Sequence, residues 1–326
     1  MTTNLTIGVL GAAKISPPAL LQPAADTDGV EVTAIAARDR SRAQAQADDF
    51  AISQVFGSYD EVLASDVDAI YNPLPINLHR EWTLKALAAG KHVLCEKPFA
   101  SNAGEARDMV EAADAAGLVL VEAFHWRYHP LAARIAERVA DVGAMSHIEA
   151  DFSVEISPAD DVRQSYELSG GALMDLGCYA AQWIRFVGAG EPTVTAASMV
   201  QGRPKVDITT TIDMVFPDGV TAHLSTGMHP GVERGASLTV TGDAGVLHVV
   251  NPIAPHSGHQ LTFTPAGGEP QHEVIEGRTT YHHQIEAFRD AVVDGVEAPT
   301  GGADAIATME LIDAAYLAAG LPRRGE

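Results

Sequence analysis

Residues 7–16 read IGVLGAAKIS, an apolar run that passes through small residues into a segment with helical periodicity. Gly8 and Gly11 lie at the end of the predicted first strand, where small residues let the backbone approach a pyrophosphate. The pyrophosphate then binds at the N-terminus of the following helix, because backbone N–H groups point outwards there. The stretch departs from the pattern G-x-G-x-x-G, since Leu10 occupies the position of its second glycine. We predict a dinucleotide-binding turn, with loop glycines of no binding role as the alternative.

Predicted strands and helices alternate through the first 124 residues. The strand-like runs, each short and apolar, cover residues 5–10, 30–37, 69–71, 92–95 and 118–121. The helical patterns between them cover residues 18–25, 41–49, 78–89 and 102–116. Alternation of this kind indicates βαβ crossovers and therefore a parallel, doubly wound sheet. We predict an N-terminal α/β domain of the Rossmann type over residues 1–124.

After residue 124 several strand-like runs follow one another without helices between them. Residues 146–156 alternate with period two, and later runs cover residues 193–201, 208–216, 220–226, 237–241 and 246–250. Helical patterns cover residues 130–140, 172–187, 281–294 and 303–319. Consecutive strands favour antiparallel pairing. We predict a C-terminal α/β domain over residues 125–326 with a large, mostly antiparallel open sheet and a terminal helix that can pack back on the first domain.

Length, composition and charge exclude several classes of protein. The chain has 326 residues, enough for two domains, and its 46% hydrophobic and 20% charged residues describe a folded globular protein. Its net charge of −22 argues against nucleic acid, whose binding requires Lys and Arg to neutralise phosphates. No run reaches the roughly 18–20 apolar residues of a membrane span, and the N-terminus lacks a basic leader. We therefore expect a cytoplasmic protein that binds neither nucleic acid nor membrane.

Neither the cysteines nor the histidines form a metal-binding pattern. Cys95 and Cys178 are too few for a disulfide framework or a thiolate cage, and we interpret them as small buried hydrophobic residues. Four histidines invite a metal interpretation but lack ligand spacing; they are His125, His129, His282 and His283. We predict no metal site.

The second strand ends in residues 34–42, AIAARDRSR, which bear on the choice between NAD and NADP. An NAD site usually has an acidic residue here to bind the ribose hydroxyls. This chain has Ala36 and Ala37 followed by Arg38, and a cation at this point suits a 2′-phosphate through charge-assisted hydrogen bonds. The alternative is a solvated helix N-terminus, and Asp39 speaks for NAD. We predict NADP as the preferred cofactor, with NAD as the second choice.

Three further motifs carry a resemblance to a known family. They are YNPLPINLHREW at residues 71–82, GKHVLCEKPF at 90–99 and GGALMDLGCYAAQW at 170–183. Together with the N-terminal glycines they resemble the glucose-fructose oxidoreductase / inositol dehydrogenase / MocA-like family over nearly the whole chain. The resemblance implies a Rossmann domain and a substrate-binding α/β domain whose open sheet often mediates homodimers or homotetramers. It also implies NAD(P)-dependent hydride transfer at a carbinol or hemiacetal carbon of a sugar, polyol or diol.

The resemblance also assigns candidate residues. Lys97 matches the active-site lysine of the family, Glu96 matches the acid that positions the nicotinamide ribose, and the Lys97–Pro98 bond is expected to be cis. The other candidate cofactor-binding residues lie in the glycine loop, after the fourth strand and at the start of the second domain. They are Ala13, Lys14, Ile15, Asn72, Pro73, Leu74, Asn77, His79, Trp126 and Arg127.

One departure from the commonest family pattern is informative. The usual Asp-x-x-x-His is here Asp175-Leu-Gly-Cys-Tyr179. Tyrosine at this position resembles the branch that holds glucose-fructose oxidoreductase, dihydrodiol dehydrogenases and NADP-dependent aldopyranose (xylose) dehydrogenases. An inositol dehydrogenase is therefore a weaker interpretation.

Hydride transfer from a hydroxyl-bearing carbon requires a general base within hydrogen-bond reach of that hydroxyl. Tyrosine and lysine have ordinary pKa values near 10 and 10.4, and each can tune the other, because a nearby ammonium favours the phenolate. Asp175 and Tyr179 are four residues apart on a helical pattern and therefore share a face. We predict that Tyr179 exchanges the proton while Lys97 polarises the oxygen; the reverse assignment stays open. Arg163 and Tyr166, in the preceding loop, are candidate substrate contacts or solvated loop residues.

These residues predict an NAD(P)-dependent dehydrogenase that acts on an aldopyranose such as D-xylose or D-glucose, or on a trans-diol. A non-catalytic NAD(P)-binding sensor or corepressor is one alternative. A sugar–sugar oxidoreductase with tightly held NADP is another.

Overall fold

The computed structural model describes residues 4–156 and 161–326, which divide into two units. The first contains residues 4–100, 104–128 and 281–306, and the second contains residues 101–103, 129–156, 161–280 and 307–326. The segment 281–306, which the sequence pattern places in the C-terminal region, is thus part of the first unit. Cys95 and Cys178 are both fully buried and neither forms a disulfide.

A six-stranded parallel sheet forms the centre of the first unit. Its strands are β1 Leu5–Leu10, β2 Val30–Ala36, β3 Gln54–Phe56, β4 Ala69–Asn72, β5 His92–Cys95 and β6 Leu120–Glu122. Their order in the sheet is β3-β2-β1-β4-β5-β6, so the direction of winding reverses between β1 and β4. This order is the doubly wound one, and the predicted Rossmann sheet is confirmed.

Helices connect these strands. They are α1 Gln22–Ala25, α2 Arg40–Phe50, α3 Tyr59–Leu63, α4 His79–Ala88 and α5 Ala103–Ala116, and a π-helical turn, Pro17–Leu21, runs directly into α1. In β1, Val9 and Leu10 point to opposite faces of the sheet and are both fully buried, as expected for a central strand covered on both faces. Ser58 and Glu61 form a capping box that begins α3.

The second unit is built on an eight-stranded sheet. Its strands are β7 Met145–Ser153, β8 Thr193–Arg203, β9 Val206–Val215, β10 Thr221–Gly227, β11 Gly235–Gly242, β12 Gly245–Val250, β13 Gln260–Pro265 and β14 Gln271–Glu273. Their order is β14-β13-β12-β11-β7-β10-β9-β8, and every neighbouring pair is antiparallel except β7 with β10. The predicted mostly antiparallel sheet is confirmed.

The remaining helices are α6 Pro130–Val139, α7 Cys178–Val187, α8 Thr280–Asp294 and α9 Gly302–Ala318. A π-helical turn, Leu173–Gly177, leads into α7, which packs on β7, β10 and β11. No helix in the described ranges is long and apolar enough to cross a membrane.

Polar side chains that pair with one another occupy the sheet face opposite α7. His223 lies 2.7 Å from Asp213, Ser225 donates to Asp151 at 2.7 Å, and His147 lies 2.8 Å from Thr221. Along β10 these outward residues alternate with Ala222, Leu224 and Thr226, which are buried. Homo-oligomerisation through this sheet stays a prediction.

Candidate active site

The loop after β1 has the backbone geometry of a dinucleotide-binding turn. Gly11 has φ +92°, and its N–H donates to the Ala36 carbonyl at the end of β2 over 2.6 Å. A Cβ on Gly11 would lie 3.1 Å from the Leu74 side chain. Gly8 lies inside β1, where a Cβ would lie 2.7 Å from Val62, so packing against α3 already explains its small size. A cofactor contact of Gly8 stays a prediction.

Side chains of α2 hydrogen-bond the next residues of this loop, which is followed by the buried serine Ser16. Arg42 donates to the Ala12 carbonyl over 2.6 Å, and Gln46 donates to the Ala13 carbonyl over 3.1 Å. Ser16 is fully buried at the start of the π-helical turn, and its Oγ has no hydrogen-bond partner within the described ranges. An unsatisfied hydroxyl at a helix N-terminus suits a phosphate oxygen. Lys14 and Ile15, the predicted contacts beside it, are exposed.

Two neighbouring residues after β2 differ in their roles: Asp39 caps α2, and Arg38 is an exposed cation. The Asp39 carboxylate accepts from the N–H of Ser41 over 3.0 Å and from its Oγ over 2.6 Å, so it caps α2. These bonds, the side-chain bond first, lower the pKa of Asp39. Arg40 donates to the Val55 carbonyl over 3.1 Å, whereas Arg38 is exposed. The arrangement leaves Arg38 accessible to a 2′-phosphate and commits Asp39 to the helix.

The turn after β5 carries Glu96 and Lys97. The Lys97–Pro98 bond is cis, which confirms that prediction. Glu96 is buried; its Oε1 accepts from the Tyr71 hydroxyl over 2.8 Å and its Oε2 from the Lys97 N–H over 3.2 Å. Burial, together with the Glu96 carboxylate, raises the pKa of Tyr71. The Glu96 carboxylate thus fixes the backbone from which the Lys97 side chain extends.

Asn72, at the end of β4, and His79, at the start of α4, lie beside this turn. His79 is buried, with Nε2 2.7 Å from the Leu74 carbonyl and Nδ1 3.1 Å from the Pro98 carbonyl. Burial lowers the pKa of His79 and thereby favours the neutral imidazole, which has one N–H to donate. Asn72 donates to Thr83 over 3.2 Å. The His79 ring therefore lies between the loop after β4 and the turn after β5, and in its neutral form it donates to one of the two carbonyls.

Three other predicted cofactor residues also lie in the first unit. The Oδ1 of Asn77 is buried without a hydrogen-bond partner in the described part of the chain, so it can accept from an amide or a hydroxyl. Trp126 and Arg127 follow β6 in the turn His125–Tyr128. Trp126 is buried, and partial burial lowers the pKa of Arg127.

In the second unit the structure brings Arg163, Asp175 and Tyr179 together. Arg163 Nε lies 3.0 Å from Asp175 Oδ2, and the charge of Asp175 is the largest cause of a raised pKa of Arg163. The charge of Tyr179 acts on Arg163 in the same direction. Tyr179 is buried and packs edge-on against Phe152 with ring centres 5.6 Å apart. Asp175 lies in the π-helical turn and Tyr179 in the first turn of α7.

Tyr166, the other candidate substrate contact, makes different contacts. Its hydroxyl lies 3.1 Å from the Arg323 carbonyl and 2.7 Å from that of Glu326, so its single hydrogen bonds the C-terminal tail. Asp161 begins the turn that carries Arg163 by accepting from the Arg163 N–H over 3.0 Å.

No three His, Cys, Asp or Glu side chains among the described residues form a group that could hold a metal ion.

A doubly wound parallel sheet with a positive-φ glycine directly after its first strand defines the class of Rossmann-type α/β proteins. The model of the GFO/IDH/MocA oxidoreductase family with an NAD-binding Rossmann fold matches residues 5–124, and the C-terminal domain model of the same family matches residues 131–248. The chain belongs to this family of NAD(P)-dependent oxidoreductases, which confirms the resemblance.

Relatives and solved structures agree with this assignment. The chain is 34% identical to D-xylose 1-dehydrogenase (NADP(+)) 2 of Haloferax volcanii over 317 residues, which cover 96% of each chain. It is 32% identical to trans-1,2-dihydrobenzene-1,2-diol dehydrogenase of Xenopus laevis over 82% of each chain. A 3-ketoreductase of Actinomadura kijaniata, solved with NADP and TDP-benzene, superposes with a TM-score of 0.91 at 28% identity, covering 97% of this chain and 98% of the other.

Proposed function

We propose that the protein is an NADP-dependent dehydrogenase of an aldopyranose, such as D-xylose or D-glucose, or of a trans-diol. The observation that carries this proposal is the ion pair of Arg163 with Asp175 beside the buried Tyr179. A carboxylate held by a cation next to a phenol provides both a hydrogen-bond acceptor for a hydroxyl and a group that can exchange its proton. The full-length similarity to an NADP-dependent xylose dehydrogenase supports the same substrate class.

The proposed cofactor fits residues of the first unit. The buried Ser16 hydroxyl and the turn at Gly11 suit the pyrophosphate, and the exposed Arg38 suits the 2′-phosphate. Glu96 and Asn77 provide acceptors for the nicotinamide half. Oxidised NADP held by these residues would supply the acceptor for the hydride of the substrate carbon.

The proton chemistry is assigned to this chain's own side chains. As the hydride leaves the carbon, Tyr179 takes the proton of the hydroxyl, and the charge of Arg163 favours the phenolate that this step requires. Asp175 accepts a hydrogen bond from a substrate hydroxyl and thereby orients the ring. The Lys97 ammonium donates to the reacting oxygen and stabilises its developing negative charge.

A spectroscopic assay of reduced nicotinamide tests the proposal, with aldoses, polyols and diols offered to NADP and NAD. We expect turnover of D-xylose, D-glucose or a trans-diol with NADP, and a fall in kcat of about 10²–10⁴-fold for Lys97→Met and for Tyr179→Phe. Lys85→Met, on the surface of α4, is the matched control. Wild-type kcat in both active-site variants would refute the roles.

The two variants combined test whether the residues act on one substrate. Lys97 belongs to the first unit and Tyr179 to the second. When two residues serve one chemical step, the double variant loses less kcat than the product of the two single losses. We expect the double variant to be about as slow as the slower single variant, whereas multiplied losses would separate the two roles.

The homo-oligomeric state and the cytoplasmic location stay predictions.

A further inference from the structure

The C-terminal tail that follows α9 carries a fully buried arginine. Arg324 Nε donates to the Gly170 carbonyl over 2.8 Å, and Nη2 donates to Asp207 Oδ1 over 2.8 Å. Its guanidinium carbon lies 3.9 Å from the centre of the Tyr316 ring. The relative exposure of Arg324 is 0%. Arginine is rarely buried so completely unless it is paired, as it is here with Asp207.

Asp207, the partner of Arg324, is equally buried and accepts four hydrogen bonds. Oδ1 also accepts from the Tyr316 hydroxyl over 2.9 Å, and Oδ2 accepts from the Thr210 hydroxyl and from the Leu173 N–H, each over 2.8 Å. We name Arg324, Asp207 and Tyr316 the tail clamp.

The tail clamp contacts the segment that leads to Asp175 at two points. Its arginine binds Gly170, and its aspartate binds the N–H of Leu173, the first residue of the π-helical turn. Gly171 lies between these points with φ +138°, and a Cβ there would collide with Asp207 and Arg324. The Gly171 carbonyl in turn accepts from the Asp175 N–H over 3.0 Å. Hydrogen bonds to Gly170 and Leu173, together with the backbone between them, therefore connect Arg324 with the segment that holds the Asp175 N–H.

The chemistry of the tail clamp requires arginine. A planar guanidinium can donate along two directions at once, to a carbonyl and to a carboxylate, and can stack on a tyrosine ring. A lysine has one ammonium that cannot occupy both positions. Loss of the cation would leave the Asp207 carboxylate buried without its ionic partner, which strongly destabilises the tail clamp.

We propose that Arg324 is a positioning residue, which acts through Asp207 and Gly170 to hold the π-helical turn and thereby to place Asp175 and Tyr179. This inference rests on the proposed function, because it treats Asp175 and Tyr179 as groups that contact the substrate. The sequence itself gives no hint of this coupling, since Asp207 and Arg324 are 117 residues apart.

Amide hydrogen exchange tests the clamp without requiring turnover. In Arg324→Ala we expect exchange in a peptide covering residues 171–179 to become at least tenfold faster, while β1 in the first unit exchanges at the wild-type rate. Arg323→Ala, the adjacent and more exposed arginine, is the matched control. Unchanged exchange at 171–179, or equal acceleration in β1, overturns the proposal. If Arg324→Ala does not fold, Tyr316→Phe removes one hydrogen bond to Asp207 and should give at least threefold acceleration at 171–179, and no acceleration overturns it.

Kinetics test the consequence for catalysis. We expect Arg324→Ala to lower kcat at least tenfold, with KM for NADP within twofold of wild type. Added guanidinium ion should restore part of kcat in Arg324→Ala and should not raise kcat in Arg323→Ala. Wild-type kcat together with faster exchange overturns the positioning role. A wild-type protein that turns over no sugar or diol would instead refute the proposed function, and the exchange comparison would then decide the clamp alone.

Discussion

Replacing Arg163 by glutamine removes the positive charge beside Asp175 and Tyr179 while it keeps a polar side chain of similar length. Asp175 then keeps its negative charge without the cation 3.0 Å away. In the proposed mechanism, Tyr179 must be deprotonated before it can accept the proton of the substrate hydroxyl. Loss of a nearby cation disfavours the phenolate, so the group should titrate at higher pH in the variant.

The magnitude follows from the geometry and the exposure of the pair. Arg163 interacts less strongly with Tyr179 than with Asp175, so the Arg163–Asp175 pair gives an upper bound for its effect on Tyr179. Two unit charges 3.0 Å apart, as in that pair, attract by about 5.5 kcal/mol at an effective dielectric constant near 20. The Arg163 side chain is 42% exposed, so solvent screens most of this attraction. Exposed pairs retain up to about 1 kcal/mol, and 1.36 kcal/mol corresponds to one pKa unit. We therefore expect a shift of about one pH unit or less.

The assay is the pH profile of kcat/KM for oxidation of the best substrate. We expect the acid limb to move to higher pH by up to about one unit, so that activity near pH 7 falls up to about tenfold and recovers in alkaline buffer. Arg163→Lys keeps the charge and should keep the wild-type profile. A profile that loses height at every pH without moving would show that Arg163 does not tune the proton-transferring group.

Two further predictions concern the first unit. Arg38→Ala should raise KM for NADP about tenfold while KM for NAD changes little, because the exposed cation would contact only the 2′-phosphate; Arg80→Ala, which loses a surface pair with Asp108, is the control, and equal changes for both cofactors would contradict this role. Burial lowers the pKa of His79 in the folded protein, so the unfolded chain takes up a proton near pH 6.5 before the folded one does. Stability contributed by neutral His79 is therefore complete above that pH and declines below it, and the loss of Tm between pH 7 and 5.5 should be smaller in His79→Gln than in wild type.

The Rossmann sheet was predictable because most of its strands are largely apolar runs and because Gly90 and Gly117 lie just past the ends of α4 and α5. The strand β3 and helix α3 were missed, since three partly exposed residues and a five-residue helix carry too little periodicity to detect. The strands β13 and β14 were also missed. In β13 the buried residues Leu261 and Phe263 do alternate with polar ones, whereas the polar edge strand β14 has no such pattern. The helical prediction over residues 172–187 was correct in extent and missed its π-helical first turn.

Short motifs yielded the candidate site residues, but not their contacts. The Glu-Lys-Pro turn and the Asp-x-x-x-Tyr spacing are local patterns, so they could be read from the sequence. The pairing of Arg163 with Asp175 joins segments whose separation is set by a loop, and the burial of Ser16 depends on the packing of its helix. Serine before a helical pattern is nevertheless a recognisable helix-start signal, which could have identified Ser16.

The N-terminal cap of α2 has a consequence for how cofactor preference can change. Asp39 stabilises the first turn of the helix that carries Arg42 and Gln46, and these two side chains hold the carbonyls of Ala12 and Ala13. A substitution at Asp39 would therefore disturb the loop after β1 as well as the helix. Arg38, one residue earlier, is exposed and can vary without that penalty. Laboratory evolution towards NAD should accordingly accept changes at position 38 and reject them at position 39.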